Sequence, residues 1–140
     1  MKILITGGLG YIGSHIAHLL GKSALIIDNG LNSNLNHNRF LPLATVYKNT
    51  INTETLNKIF NQYQIKGVIH LAGYKSVNES VYMPLKFYKN NIYSSIRLLE
   101  AMDKYKVHKL IFSSSATVYG NHHNSPLRED MELQSVNPYG

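Results

Sequence analysis

Near the start of the chain Gly8-Leu9-Gly10-Tyr11-Ile12-Gly13 has the spacing G-x-G-x-x-G, preceded by Gly7. Such a run alone says little. Here an apolar stretch, Lys2–Thr6, runs directly into it and a helical stretch opens near Tyr11, which is the context a phosphate-binding turn needs. Gly7 and Gly8 allow a tight turn. Gly10 lets the backbone approach a pyrophosphate, and Gly13 lets the helix pack close to the strand. The N–H groups at the helix start, around Tyr11 and Ile12, then face the anion. Asp28 ends the next apolar run, 21 residues after Gly7. A carboxylate there suits the hydroxyls of an adenosine ribose. Asn29 follows it, and no basic residue is at hand for a 2′-phosphate, so the pair favours NAD over NADP.

Holding these residues in place takes a repeated unit of strand, turn and helix. Strands are expected at Lys2–Thr6, Ala24–Asp28, Thr45–Lys48, Gly67–Leu71 and Lys109–Ser113. Helices are expected at Tyr11–Leu20, at Thr53–Gln62 with Thr53 as its cap, and from Pro84 to about Tyr105. In the last of these Leu85, Tyr88, Ile92, Ile96 and Leu99 keep helical spacing. Asn29–Leu41, Ala72–Met83 and the stretch after Ser114 read as loop or turn. Strands alternating with helices imply an α/β fold, a Rossmann-type doubly wound parallel sheet. Right-handed crossovers give it the order 3-2-1-4-5. One domain is expected over 1–140, an incomplete NAD-binding Rossmann domain.

Composition excludes several other chemistries. The chain of 140 residues has no cysteine, so no thiolate nucleophile, disulfide frame or cysteine-based metal site exists, and a reducing cytoplasm is the simplest compartment. The net charge is +6, but the lysines are scattered and no dense basic cluster interleaved with aromatics suggests nucleic acid. No apolar run approaches the ~20 residues of a membrane span. Seven histidines, among them His15, His18, His122 and His123, follow no metal-ligand spacing, so no metal is expected. Ser113-Ser114-Ser115 lacks the flanking glycines of a nucleophile elbow.

Longer motifs identify a family. Thr6–His15 resembles the opening of the extended short-chain dehydrogenase/reductases. Leu71-Ala72-Gly73-Tyr74-Lys75-Ser76-Val77-Asn78-Glu79-Ser80-Val81, then Pro84-Leu85, Tyr88 and Asn90-Asn91, resemble the UDP-glucose 4-epimerase family in particular. So does Phe112-Ser113-Ser114-Ser115-Ala116-Thr117-Val118-Tyr119-Gly120. The resemblance implies reversible NAD-dependent inversion at C4 of a UDP-hexose. It implies Tyr139 as general base on the 4-hydroxyl, with Ser115 hydrogen-bonding in support. Leu71, Ala72, Gly73, Lys75, Asn90 and Ser113 would line the cofactor, and the whole enzyme would be a homodimer paired partly through the long helix. Dehydratases that share the motif usually place Asp-Glu after its serine or threonine. Ala116 and Thr117 stand there instead, which argues against water loss.

The chain departs from the family pattern in places. Thr50, with Ile51 next, stands where an aspartate usually meets the adenine. Ile92-Tyr93-Ser94-Ser95 replaces a common Gly-Thr pair, and Gly21-Lys22-Ser23 makes a short link into strand two. A tyrosine of ordinary pKa, about 10, is only about a thousandth phenolate at pH 7, so such enzymes lower it with a lysine one helical turn on. Here that position lies past Gly140. The expectation is therefore the cofactor-binding part of a larger enzyme, inactive alone, whose sugar-nucleotide domain lies outside the chain. Another nucleotide-sugar epimerase or dehydratase, or an NAD-binding module without catalysis, are the alternatives. Ile111, the far face of the long helix and the strand-five edge are expected to be exposed.

Overall fold

The computed structural model describes residues 1–33, 41–122 and 124–140. The chain forms two compact units. One comprises Met1–Gly73 with Ser94–Ser113, the other Tyr74–Tyr93 with Ser114–Gly140.

The first unit holds β1 (Lys2–Thr6), α1 (Tyr11–Leu20), β2 (Ala24–Asp28), β3 (Thr45–Lys48), α2 (Thr53–Gln62), β4 (Ile65–His70), most of α5 (Tyr93–Lys104) and β5 (Leu110–Phe112). All neighbouring strands pair in parallel, in the order β3-β2-β1-β4-β5. Each crossover leads to the adjacent strand except the one from β3 to β4, which passes back over β2 and β1 to pair β4 with the other side of β1. Alternate strand residues face opposite sides. Leu4, Leu25, Ile27 and Val68 pack with Leu56, Ile59 and Phe60 of α2 and with Leu98, Ala101 and Met102 of α5. On the other side Ile5, Ala24 and Ile26 pack with Ala17 of α1. Each of the larger aliphatic side chains contributes about 1.5–3 kcal/mol by leaving water.

Several boundaries differ from the sequence expectation. The cap of α2 is Asn52, not Thr53: extended at φ −134°, it accepts the Thr55 N–H on its side chain at 2.8 Å. Strand β4 starts earlier because Ile65 is buried and pairs with Lys2. In α5 the buried side is Leu98, Ala101 and Met102, whereas Tyr93, Ile96 and Leu99 are about half exposed. Leu110, Ile111 and Phe112 of β5 are all exposed, as expected. Of the loop expected over 29–41, residues 34–40 lie outside the described residues, as does His123.

The second unit contains α3 (Val77–Tyr82), a helix within the stretch 72–83 expected as loop, capped by Ser76 accepting the Glu79 N–H at 3.3 Å. Next come α4 (Pro84–Phe87), with Pro84 in its first turn, and a π-helical segment, Tyr88–Ile92. The single long helix expected from Pro84 is thus three segments, α4, the π-helical turn and α5. A 3₁₀ turn, Ala116–Tyr119, follows. Phe87 is fully buried in this unit.

Candidate functional site

The glycine turn leaves β1 at Gly7, whose φ of +68° suits glycine. A Cβ at Gly7 would lie 2.9 Å from the Ala72 nitrogen. A Cβ at Gly13 would lie 2.5 Å from the Gly7 oxygen and 2.6 Å from Gly8 Cα, so α1 starts pressed against the turn. Gly10 is the N-cap of α1 and supplies no side-chain cap, and no acidic residue stands in the first turn. The N–H groups at the start of α1 are therefore not met by a side-chain cap, and the positive end of the helix dipole faces outward beside exposed Tyr11 and Ile12. These features fit an anion.

Asp28 reaches back from the end of β2. Its Oδ2 accepts the Leu9 N–H at 3.0 Å, and its Oδ1 accepts the Gly30 N–H at 2.8 Å and the Ser33 hydroxyl at 3.1 Å. The carboxylate thus fixes the tip of the glycine turn as well as standing where a ribose is expected. Asn29 is exposed beside it, its Oδ1 accepting the Leu31 N–H. Beyond β3, Thr50 is exposed and its N–H donates to Asn49 Oδ1, while Ile51 packs partly against the core.

Opposite the turn, Leu71, Ala72 and Gly73 follow β4. Thr6 Oγ1 accepts both the Leu71 and Ala72 N–H groups at 3.2 Å. It also lies 2.6 Å from His70 Nδ1, and His70 Nε2 lies 2.9 Å from Ser95 Oγ. Burial lowers the His70 pKa below the usual histidine value. The Ser113 N–H donates to the His70 carbonyl at 3.0 Å. The first unit thereby gathers Gly7, Gly10, Tyr11, Ile12, Gly13, Asp28, Asn29, Thr50, Ile51, Leu71, Ala72, Gly73 and Ser113.

Lys75, Asn90, Ser115 and Tyr139 belong to the second unit. Lys75 is exposed. Asn90 donates to Asn91 Oδ1 at 2.9 Å, and Asn91 clamps Tyr74 by accepting its N–H at 2.8 Å and donating to its carbonyl at 2.9 Å. Ser115 caps the 3₁₀ turn: its Oγ accepts the Thr117 N–H at 3.2 Å and lies 2.8 Å from Thr117 Oγ1. Tyr139 is partly buried, its ring 6.4 Å edge-on from Phe87, which meets the Tyr74 ring at 5.6 Å. Asn137 Oδ1 accepts the N–H groups of Tyr139 and Gly140 at 3.1 and 3.0 Å. The Gln134 N–H donates to the Val118 carbonyl at 2.9 Å, so the segment carrying Tyr139 is tied to the turn that follows Ser115.

Sequence reasoning assigned no role to Thr6, His70, Ser95, Phe87, Asn91 and Asn137, although Thr6, Ser95 and Asn91 lie within stretches compared with the family. A polar residue closing an apolar strand, as at Thr6 and His70, was the available signal for two of them. Among the described residues no three His, Cys, Asp or Glu side chains converge as a metal would require.

Sheet order, glycine turn and acidic strand end give the first unit a fold of the Rossmann class. The family described as GDP-mannose 4,6 dehydratase matches residues 4–140, and the chain belongs to it. It is 45% identical to the UDP-glucose 4-epimerase of Dictyostelium discoideum, over 99% of this chain and 43% of that protein. It is also 45% identical to the Bacillus subtilis UDP-glucose 4-epimerase, over 100% of this chain and 44% of that one. The Bifidobacterium longum UDP-glucose 4-epimerase, solved in complex with NAD+ and UDP, superposes with a TM-score of 0.91 at 36% identity, covering 99% of this chain and 44% of that one. The chain thus spans less than half the length of the curated relatives it matches.

Proposed function

We propose that this chain is the NAD-binding part of an enzyme that inverts C4 of a UDP-hexose, interconverting UDP-glucose and UDP-galactose. The observation that carries the reading is the α1 N-terminus without a side-chain cap, framed by Gly7, Gly10 and Gly13, with Asp28 at the next strand end. Similarity to UDP-glucose 4-epimerases along the whole chain supports the choice of reaction.

NAD, when bound, supplies the hydride acceptor and donor at the sugar C4. The α1 N–H groups would hold the pyrophosphate and Asp28 the adenosine ribose, with Thr50 and Ile51 beside the adenine. Leu71–Gly73, Ser113, Lys75 and Asn90 would line the nicotinamide side. Hydride leaves C4 only as the 4-hydroxyl loses its proton, so a base must touch that oxygen. Tyr139 takes that proton, and Ser115, oriented by the Thr117 N–H, donates a hydrogen bond to the same oxygen. Asn137 and Phe87 hold Tyr139 in place. A carboxylate pair suited to water loss is missing after Ser115, where Ala116 and Thr117 stand, so a dehydratase is the weaker reading.

Domain 1–140 is then the cofactor domain, with UDP and sugar held by a further domain and the whole enzyme acting as a homodimer in the cytoplasm. No helix among the described residues is long and apolar enough to cross a membrane. The test is calorimetric titration of the chain with NAD, followed by UDP-galactose turnover after co-expression with the C-terminal part of a relative. NAD binding with turnover restored supports the reading. A folded chain that ignores NAD contradicts it.

A further inference from the structure

We propose that His70 is a positioning residue of the dinucleotide crevice: its neutral ring holds the Leu71–Gly73 wall against the glycine turn, and its protonation loosens that wall. The consequence for affinity rests on the NAD reading above; the consequence for the wall does not.

Hydrogen-bond supply fixes the tautomer of the His70 ring. A threonine hydroxyl has one hydrogen to give and two lone pairs. The Leu71 and Ala72 N–H groups occupy both lone pairs of Thr6 Oγ1 at 3.2 Å each. The hydroxyl hydrogen is left to point at His70 Nδ1, 2.6 Å away. Nδ1 is therefore the bare nitrogen, and Nε2 carries the proton and donates it to Ser95 Oγ at 2.9 Å. A protonated ring bears N–H on both nitrogens. Thr6 Oγ1 could meet the new donor only by releasing Leu71 or Ala72. Leu71 keeps a second acceptor, the Thr6 carbonyl at 3.1 Å, so the Ala72 N–H is the group more exposed to loss. Ala72 is also the residue that touches the glycine turn, its nitrogen 2.9 Å from where a Gly7 side chain would begin.

Geometry makes the exchange costly to avoid. Thr6 is fully buried and His70 is 3% exposed, so water cannot readily replace a lost partner. The partners that the structure gives the ring are Thr6 on β1, Ser95 on α5 and the Phe112 ring on β5 at 5.7 Å, none of them charged. On other elements stand Asp28, which accepts the Leu9 N–H, and exposed His15, whose ring meets Tyr11 at the start of α1. The comparison therefore removes His70 alone.

The experiment follows the Leu71 and Ala72 amide resonances of the ¹⁵N-labelled chain from pH 8 to 5, in the unsubstituted protein and in His70→Asn. Asparagine offers Oδ1 to the Thr6 hydroxyl and does not titrate. Both amides are expected to move along the His70 titration curve and to stay flat in H70N. NADH affinity should weaken by up to about tenfold per pH unit below that midpoint relative to H70N. Amides that stay still while His70 titrates, or that move equally in H70N, would overturn the proposal. Should H70N not fold, long-range ¹H–¹⁵N spectra of the unsubstituted chain decide: a proton on Nδ1 at pH 8 refutes it and a bare Nδ1 supports it. If the amides follow His70 but NADH binds at no pH, the positioning role stands and the NAD reading falls.

Discussion

Two glycines in one turn should fail in different ways when each becomes alanine. At Gly13 the new Cβ would lie 2.5 Å from the Gly7 oxygen, 2.6 Å from Gly8 Cα and 3.0 Å from the Gly8 carbonyl carbon. These are backbone atoms, so no side-chain rotation relieves the clash, and α1 must move off the turn. Overpacking of this kind costs about 1–3 kcal/mol. At about 4 °C per kcal/mol for a chain of this size, the melting temperature should fall by about 4–12 °C. At Gly10 the Cβ meets only the Gly7 oxygen, at 3.3 Å, and φ is −70°, which alanine adopts freely. The remaining cost is the poorer N-cap, about 0.5–1 kcal/mol. That Cβ would instead occupy the surface a pyrophosphate must approach, so Gly10→Ala should weaken NAD binding by at least about tenfold, or about 1.4 kcal/mol. Thermal melts and NADH fluorescence titration separate the two effects. Equal destabilisation by both, or unchanged NADH affinity in Gly10→Ala, would refute the assignment of the turn.

Asp28→Ala removes three accepted hydrogen bonds and leaves the Leu9 N–H without its acceptor, so it should cost about 1–3 kcal/mol of stability in urea unfolding and abolish the preference for NADH over NADPH. Phe87→Ala empties a site with 1% exposure between Tyr74 and Tyr139, for a loss of about 3–5 kcal/mol by the same assay, and should shift the Tyr139 ring resonances. Burial keeps His70 below the ordinary 6.5, so the unfolded chain takes up a proton at a higher pH than the folded one. The stability this gives is complete above about pH 6.5 and declines as the pH falls below it; the urea midpoint of His70→Asn should lack that component.

The sheet was legible because each strand is a short apolar run closed by a turn, and connection handedness leaves few orders for five such strands. The glycine turn was legible for the same reason: its meaning lies in local spacing after a strand. What escaped was non-local. Thr6, His70 and Ser95 meet across 64 and 25 positions of sequence, which no periodicity encodes. Ser95 lay inside a segment noted only as a departure from the family pattern, and its hydroxyl turns out to be the His70 partner. Residues 77–82 read as loop because six residues are too few to show a helical period, although Ser76 with Glu79 was a capping pattern in plain view. In α5 the spacing of Ile96 and Leu99 marked a real apolar stripe, but the neighbouring stripe of Leu98, Ala101 and Met102 is the one that packs on the sheet.

Calorimetric titration of the purified 140-residue chain with NAD and, separately, with NADP bears most directly on the central claim. The account predicts saturable binding of NAD at one site per chain, with NADP weaker by at least about tenfold because a carboxylate, Asp28, stands at the end of β2 and Asn29 follows it. A chain that is folded by NMR yet binds neither dinucleotide, or binds NADP as well as NAD, would contradict it.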